Sequence, residues 1–258
     1  MTKPIEMKEG YLLYLDDLDS LELAKNGFYP YETREVELIK HLLDVEDFAA
    51  DIGAHIGYHT LLMSLHCNRV YSFEPERINF QILKNNIELN EFADNINPWN
   101  VAIGNHKGFE KLYLCKDNSG MHRLFKSKWC SDVYESVPIA PLDYIVGKTQ
   151  RLDFIKMDCE GSELNALRGM TNLIEKFHPK IMMEFHPPTF IEAGVNPITI
   201  YNWLDTFGYK LKLIRDFDIG YLNSEALIQH TDVVEGGRNI LCMTEEEWLG
   251  TDWSFMRR

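Results

Sequence analysis

The chain alternates short apolar runs with segments of helical periodicity, and this alternation limits the possible folds more than any other feature. The runs are FAADIG (48–53), RVYSFEP (69–75), NVAIG (100–104), DFIKMD (153–158) and KIMMEFH (180–186). Short apolar runs are typical of strands buried on both faces, and strands separated by helices pair in parallel. The pattern therefore predicts an α/β fold with a mostly parallel sheet and helices on both faces.

The predicted helices lie between or after these runs, at 75–90, 162–177 and 196–207. Residues 109–146 break the rhythm, because KLYLC (111–115) and VYESVPI (133–139) indicate two strands flanking a loop inserted beside the sheet. Near the end, YKLKLI (209–214) and NILCMT (239–244) have no helical period between them and predict an antiparallel hairpin. We interpret 1–35 as an N-terminal leader or cap and 36–258 as one domain.

Composition limits the partners and the compartment. The formal net charge of −14 disfavours nucleic acid as a partner, since an acidic surface repels phosphate backbones. Five cysteines without a C-x-x-C pair favour a reducing compartment over a disulfide framework or structural zinc. The N-terminus lacks the apolar core of a secretory signal, and the longest uncharged run (52–68) holds three histidines. We therefore expect a cytoplasmic protein without a membrane span.

The segment DIGAHIG (51–57) predicts a nucleoside site, although a tight turn without a ligand is the alternative. Gly53 and Gly57 stand where a strand passes into a helix, so a ligand can approach the backbone. Glu74 closes the next strand, where an acidic residue accepts both ribose hydroxyls. His55 replaces the second glycine of a dinucleotide site, and no G-K-[ST] P-loop is present. A nucleoside without phosphates remains, and S-adenosylmethionine fits, with Asp51 and the turn facing its ammonium group.

Five motifs in order carry a resemblance to a known family: DIGAHIGYHT, VYSFEP, NVAIGN, LDFIKMDCEGSE and IMMEFHP. They resemble the FkbM-type family of S-adenosylmethionine-dependent methyltransferases over residues 29–187. The resemblance implies the Rossmann-like class I methyltransferase fold, with seven strands of which the last is antiparallel. It also implies O-methylation of a hydroxyl on a sugar, glycan or small metabolite.

The same resemblance assigns cofactor contacts. It implies that Asp51, Gly53, His55 and Gly57 surround the methionine part, that Glu74 holds the ribose, and that Asn100, Val101 and Ala102 lie beside the adenine. We also expect Asp158 to contact the cofactor. His55 departs from the asparagine that is more usual in the family at that position.

Ionisable residues follow the later strands, where the acceptor is expected. An aliphatic hydroxyl needs a base or a metal ion to become a nucleophile. The candidates are Asp158, Glu160, Glu184, His186 and Lys156. Our hypothesis is that Asp158 or His186 deprotonates the acceptor, or that the pair orients it. A divalent metal ion held by Asp158, Glu184 and His186, with Glu160 as a further ligand, is possible but not favoured.

Several alternatives stay open at this point. Lys156 needs a carboxylate partner such as Asp158 or Asp51, and the pair is structural or catalytic. The loop SGMHRL (119–124) either closes over the cofactor or acceptor, with Arg123 for an anionic group, or is an exposed turn. Methylation of RNA or of a protein side chain, or a catalytically silent binding protein, are the other functions. We expect a small-molecule or glycan acceptor and no nucleic acid.

Overall fold

The computed structural model describes residues 3–15, 26–29, 32–116, 118–214, 221–231 and 238–257. The rest of the predicted leader lies outside the described residues. The strands are β1 (Ile5–Glu6), β2 (Leu12–Leu13), β3 (Phe48–Ile52), β4 (Arg69–Phe73), β5 (Ile96–Trp99), β6 (Ala102–Ile103), β7 (Gly108–Tyr113), β8 (Tyr134–Ala140), β9 (Phe154–Met157), β10 (Lys180–Phe185), β11 (Tyr209–Leu213) and β12 (Arg238–Thr244). The helices are α1 (Thr33–Leu42), α2 (Tyr58–Ser64), α3 (Arg77–Leu89), α4 (Leu142–Ile145), α5 (Glu163–Arg168), α6 (Thr171–Phe177), α7 (Pro187–Glu192), α8 (Pro197–Thr206), α9 (Ser224–Thr231) and α10 (Glu245–Gly250).

Seven strands form the main sheet in the order β5-β4-β3-β9-β10-β12-β11. The pairs from β5 to β10 are parallel, whereas β12 is antiparallel to both β10 and β11. The chain runs outward from β3 to β5 and then returns to β9 on the other side of β3, so the strand order reverses there. The predicted seven-stranded α/β fold with one antiparallel strand is confirmed.

The two faces of the sheet contact separate hydrophobic cores. Successive strand side chains point to opposite faces, so Phe154 enters one core while Ile155 and Met157 enter the other. The first core includes side chains of α1 and α2, and the second includes side chains of α5, α6 and α8. Helices therefore cover both faces, as expected.

Three local predictions differ from the structure. The main sheet uses β5 instead of 100–104, and β6 joins the small sheet β6-β8-β7. The sequence of β5, INPW, contains Pro98, which an edge strand tolerates but an apolar-run criterion overlooks. The predicted helix 162–177 divides into α5 and α6. Helix α9 lies between β11 and β12, although the antiparallel pairing of these strands is confirmed.

The inserted segment 109–146 contains the predicted strand pair, β7 and β8, which is antiparallel. The structure joins Cys115 and Cys130 by a disulfide in this segment, while Cys67, Cys159 and Cys242 are free. The expectation of reduced cysteines is therefore wrong for this pair. The ladder of β7 and β8 brings the two cysteines together from positions that are 15 residues apart in the chain.

The N-terminal strands β1 and β2 pack against α2 and α3. The Tyr11 hydroxyl donates to the Tyr58 carbonyl oxygen (2.9 Å). Asn90 exchanges two hydrogen bonds with the backbone of Leu12, and Asn86 does the same with Tyr14. The division at residue 35 stays a prediction. None of the described helices has the length and apolar character needed to cross a bilayer.

Candidate active site

A cavity of about 320 Å³ opens at the carboxyl ends of β3, β4 and β9. Open parallel sheets bind ligands in the crevice where the strand order reverses, and this cavity lies there. The predicted cofactor residues that line it are Gly53, His55, Glu74, Val101, Ala102 and Asp158. Asp51, Gly57 and Asn100 are not among the described residues on its wall.

The turn after β3 requires glycine at position 53. Gly53 has a φ of +79°, in the left-handed region, and a Cβ atom built on it would lie 1.8 Å from the backbone oxygen of Asp158. The N–H groups of Gly53 and Ala54 both donate to the carbonyl oxygen of Phe73 at 3.0 Å. The turn therefore brings the end of β3 against the end of β9 and holds it on β4.

Glu74 follows β4 and is 5% exposed. Its carboxylate accepts hydrogen bonds from the N–H groups of His55 (2.9 Å) and Glu76 (2.8 Å). Each carboxylate oxygen has a second lone pair, so Glu74 can still accept from a ligand hydroxyl. Burial raises the pKa of Glu74 to about 7, although His55 and the two backbone donors oppose that shift.

Asp51, the last but one residue of β3, is fully buried beneath the cavity. The Thr60 hydroxyl donates to its Oδ2 atom at 2.5 Å. Burial raises the pKa of Asp51, and the charge of Lys156 opposes the shift. The predicted contact with the ammonium group would require Asp51 to lie on the cavity wall. The structure instead places Asp51 against Thr60.

An apolar wall lies beyond Glu74, on the β5 side of the sheet. It contains Val101, Ala102, Ile103 and Leu112. Asn100 has a different place, because its side-chain amide donates to the carbonyl oxygens of Glu74 and Pro75, at 2.9 Å in both cases. Asn100 therefore holds the loop after β4, while Val101 and Ala102 offer an apolar surface for a ring.

The loop 118–122 closes the cavity opposite the turn after β3. The Asn79 amide donates to the Ser119 carbonyl oxygen (2.9 Å), and His55 Nε2 lies 2.7 Å from Ser119 Oγ. Of the two alternatives for SGMHRL, the structure therefore favours a loop that closes over the cavity, rather than an exposed turn.

Lys156 and Asp158 line the cavity at the end of β9. Lys156 Nζ lies 3.6 Å from Asp158 Oδ2, and Lys156 is paired in register with Asp51 on β3. Burial alone would lower the pKa of Lys156, but Asp158, Asp51 and Glu32 outweigh it and raise the pKa above its usual value. Lys156 is thus a buried cation with carboxylates around it, as the sequence predicts.

Glu160 also lines the cavity, and Arg123 holds it. The Arg123 guanidinium, only 2% exposed, lies 3.0 Å from Glu160 and 3.2 Å from Glu192, and it donates to Ser127. Burial and the nearby Asp158 raise the pKa of Glu160 to about 7. Because two carboxylates already occupy Arg123, it does not offer the free anion site considered from the sequence.

Glu184 and His186 are not among the described residues on the cavity wall. Oxygen atoms of Asp158, Glu160 and Glu184 lie within 4.8 Å of one another, a set that could hold a hard cation. Burial, together with the charge of Asp158, raises the pKa of Glu184 well above its usual range. Protonation of Glu184 is therefore an alternative to a cation as a way to reduce the negative charge of this cluster. His186 caps α7 and its Nδ1 lies 2.7 Å from Thr189 Oγ1. The alternative metal set with His186 is not brought together.

Sequence reasoning missed part of the wall. Tyr29 and Glu32 come from the predicted leader, and Tyr58 and His59 begin α2. Tyr58 and His59 lie within DIGAHIGYHT, but nothing in that motif assigns them a cofactor contact, and Tyr29 and Glu32 lie outside all five motifs. Their common position appears only once the N-terminal segment is packed against α2.

Comparison with known proteins adds two relatives. Residues 51–211 match the model of the methyltransferase FkbM domain. The hexuronic acid methyltransferase AglP of Haloferax volcanii is 27% identical over 199 residues, which are 72% of this chain and 76% of that protein. The crystal structure of the methyltransferase FkbM from Methylobacillus flagellatus KT is similar with a TM-score of 0.50 and 19% identity. That match covers 78% of this chain but 44% of the other, and at 19% identity it shows the fold alone.

Proposed function

Because this chain belongs to the FkbM methyltransferase family, we propose that it binds S-adenosylmethionine and methylates a hydroxyl oxygen of a sugar or glycan. The observation that carries the proposal is one cavity lined by both Glu74 and Asp158. A ribose-binding carboxylate and a base for the acceptor thus face the same space.

The backbone around Gly53 fits a nucleoside without phosphates. A phosphate at such a turn needs free backbone N–H donors. Here the N–H groups of Gly53 and Ala54 donate to Phe73, and the N–H of His55 donates to Glu74. In our proposal, Glu74 accepts from the ribose hydroxyls while Val101 and Ala102 contact the adenine.

Asp158 is the base that we propose for the acceptor. Bound S-adenosylmethionine supplies a methyl group on a sulfonium, which a hydroxyl oxygen attacks in line. The hydroxyl proton passes to the Asp158 carboxylate, the new O–CH₃ bond forms and the S–CH₃ bond breaks. Lys156 lies beside this base, with its Nζ 3.6 Å from Asp158 Oδ2. Of the two predicted bases, only Asp158 lines the cavity among the described residues.

The acceptor class rests on the relative from Haloferax volcanii, whose name specifies a hexuronic acid. A sugar offers several aliphatic hydroxyls, each of which requires a base such as Asp158 at neutral pH. We therefore propose a sugar or glycan hydroxyl rather than an RNA base or a protein side chain.

Cofactor binding tests the first half of the proposal. In thermal shift measurements, S-adenosylmethionine and S-adenosylhomocysteine should raise the melting temperature, and NAD should not. Glu74→Gln should weaken binding about 10- to 100-fold, because it removes charge-assisted hydrogen bonds to the ribose. Glu88→Gln, on the exposed face of α3, is the matched control and should bind as the wild type does. An unchanged wild-type melting temperature with both methionine ligands would contradict the proposal.

Methyl transfer tests the second half. With labelled S-adenosylmethionine and a panel of neutral hexoses and hexuronic acids, we expect label in a methyl ether. Asp158→Asn should bind cofactor normally but lower turnover by about 10²- to 10⁴-fold. His186→Ala should keep most turnover, because the ring lies off the cavity. Wild-type turnover by Asp158→Asn would refute the role of Asp158.

A further inference from the structure

The cavity continues past the turn after β3 to a half-buried glutamate and a buried histidine that the proposed reaction leaves unused. Glu32 directly precedes α1, and His59 is the second residue of α2. His59 is 9% exposed. Glu32 Oε2 and His59 Nε2 lie 3.5 Å apart, and neither atom has a hydrogen-bond partner among the described residues.

Leaving these two atoms without hydrogen bonds is costly, since buried polar groups in folded proteins are nearly always paired. Burial raises the pKa of Glu32 to about 8, with Lys156 opposing the shift, and burial lowers the pKa of His59. A cation beside Glu32 would stabilise its carboxylate, and an acceptor beside His59 would satisfy the imidazole N–H. A ligand with both groups close together would complete this end of the cavity.

The strand order shows which part of a ligand reaches these residues. Glu74 ends β4, and the apolar wall of Val101 and Ala102 lies beyond it towards β5. A nucleoside with its ribose at Glu74 and its base on that wall can extend only the other way, across β3 towards β9. Glu32 and His59 line the cavity on that side, together with Lys156.

We infer that Glu32 and His59 bind the amino-acid end of the cofactor, an inference that rests on the proposed function. Glu32 accepts hydrogen bonds from the ammonium group, and His59 Nε2–H donates to the carboxylate. This replaces the contact predicted for Asp51, which lies beneath the cavity against Thr60. The leader thus supplies a cofactor-binding residue as well as a cap.

Two ligands separate this inference from the proposed function. S-adenosylhomocysteine carries the amino-acid group, whereas 5′-methylthioadenosine is the same nucleoside thioether without it. By isothermal titration calorimetry, Glu32→Gln and His59→Ala should weaken S-adenosylhomocysteine about 10- to 100-fold. Both variants should bind 5′-methylthioadenosine within about twofold of the wild type, because the nucleoside contacts are intact.

Glu37→Gln, on the exposed face of α1, is the matched control and should leave both affinities unchanged. Far-UV circular dichroism checks folding, and Glu32→Asp and His59→Gln repeat the comparison if either first variant unfolds. Equal weakening of both ligands, or no weakening of S-adenosylhomocysteine, would overturn the inference while cofactor binding by the wild type stands. If the wild type binds neither ligand, the proposed function itself fails.

Discussion

Replacing Gly53 by alanine isolates the close approach of β3 and β9 at the cofactor turn. The added Cβ atom would lie 1.8 Å from the Asp158 carbonyl oxygen, a distance that only backbone movement can relieve. Gly208 provides a matched control. Its φ of +80° equals that of Gly53 within a degree, but no atom lies within 4 Å of a Cβ built there. Gly53→Ala and Gly208→Ala therefore share the cost of placing alanine at a left-handed φ. Gly53→Ala alone also has the steric clash with Asp158.

The two costs can be assigned separately. A left-handed φ costs an alanine about 1–2 kcal/mol, which is all that Gly208→Ala should lose. Moving packed backbone adds about 1–3 kcal/mol, so Gly53→Ala should lose about 2–5 kcal/mol in all. For a chain of this size, 1 kcal/mol shifts the melting temperature by about 2–4 °C. The expected falls are about 2–8 °C for Gly208→Ala and about 4–20 °C for Gly53→Ala.

Urea unfolding followed by circular dichroism gives both free energies, and calorimetric titration with S-adenosylhomocysteine gives the effect on the cavity. Gly208→Ala should bind as the wild type does, because Gly208 is not among the described residues on the cavity wall. Gly53→Ala should lose binding, because Asp158 and the turn must separate. If the two variants lose equal stability, the contact between the turn and Asp158 has no energetic weight and the reasoning is wrong.

Two further predictions concern buried charge. Glu163 is fully buried, and burial raises its pKa from 4.5 to about 8. The contribution of this shift to stability is therefore complete below about pH 4.5, where Glu163 is protonated in both states, and it is lost as the pH rises through about 8. Glu163→Gln should therefore make the fall in unfolding free energy between those pH values shallower by up to about 1.4 kcal/mol per pH unit, measured by urea unfolding, and an unchanged slope would contradict this. Arg123→Met should cost roughly 2–4 kcal/mol, because it leaves the carboxylates of Glu160 and Glu192 without their cation. Lys126→Met in the same loop breaks an exposed pair and should cost much less. Equal losses from these two substitutions would show that the Arg123 cluster adds no stability beyond a surface ion pair.

Strands and turns that depend on local pattern could be predicted from the sequence. The strands β3, β4, β9 and β10 are buried on both faces, so their apolar runs are continuous, and Gly53 and Glu74 follow two of them directly. The edge strand β5 could not be predicted from an apolar run, because it is only partly buried and contains Pro98. No local pattern marks a contact between distant segments.

The far end of the cavity shows the same limit. Glu32 precedes α1 and His59 lies in α2, and the two meet because these helices share one hydrophobic core. Likewise, Arg123 has two carboxylate partners from different elements, and a sequence motif alone cannot distinguish such a cluster from a free anion site. Packing between remote segments decides both cases.

Asn86 of α3 and Asn90, which follows the last residue of that helix, leave the side chains of the segment opposite them free to vary. Asn86 and Asn90 recognise the N–H and C=O groups of Tyr14 and Leu12, not their side chains, so they imitate a neighbouring strand. Any residue other than proline at positions 12 and 14 can make the same four hydrogen bonds when its backbone is extended. The side chains of this segment can therefore change without loss of its contacts with Asn86 and Asn90.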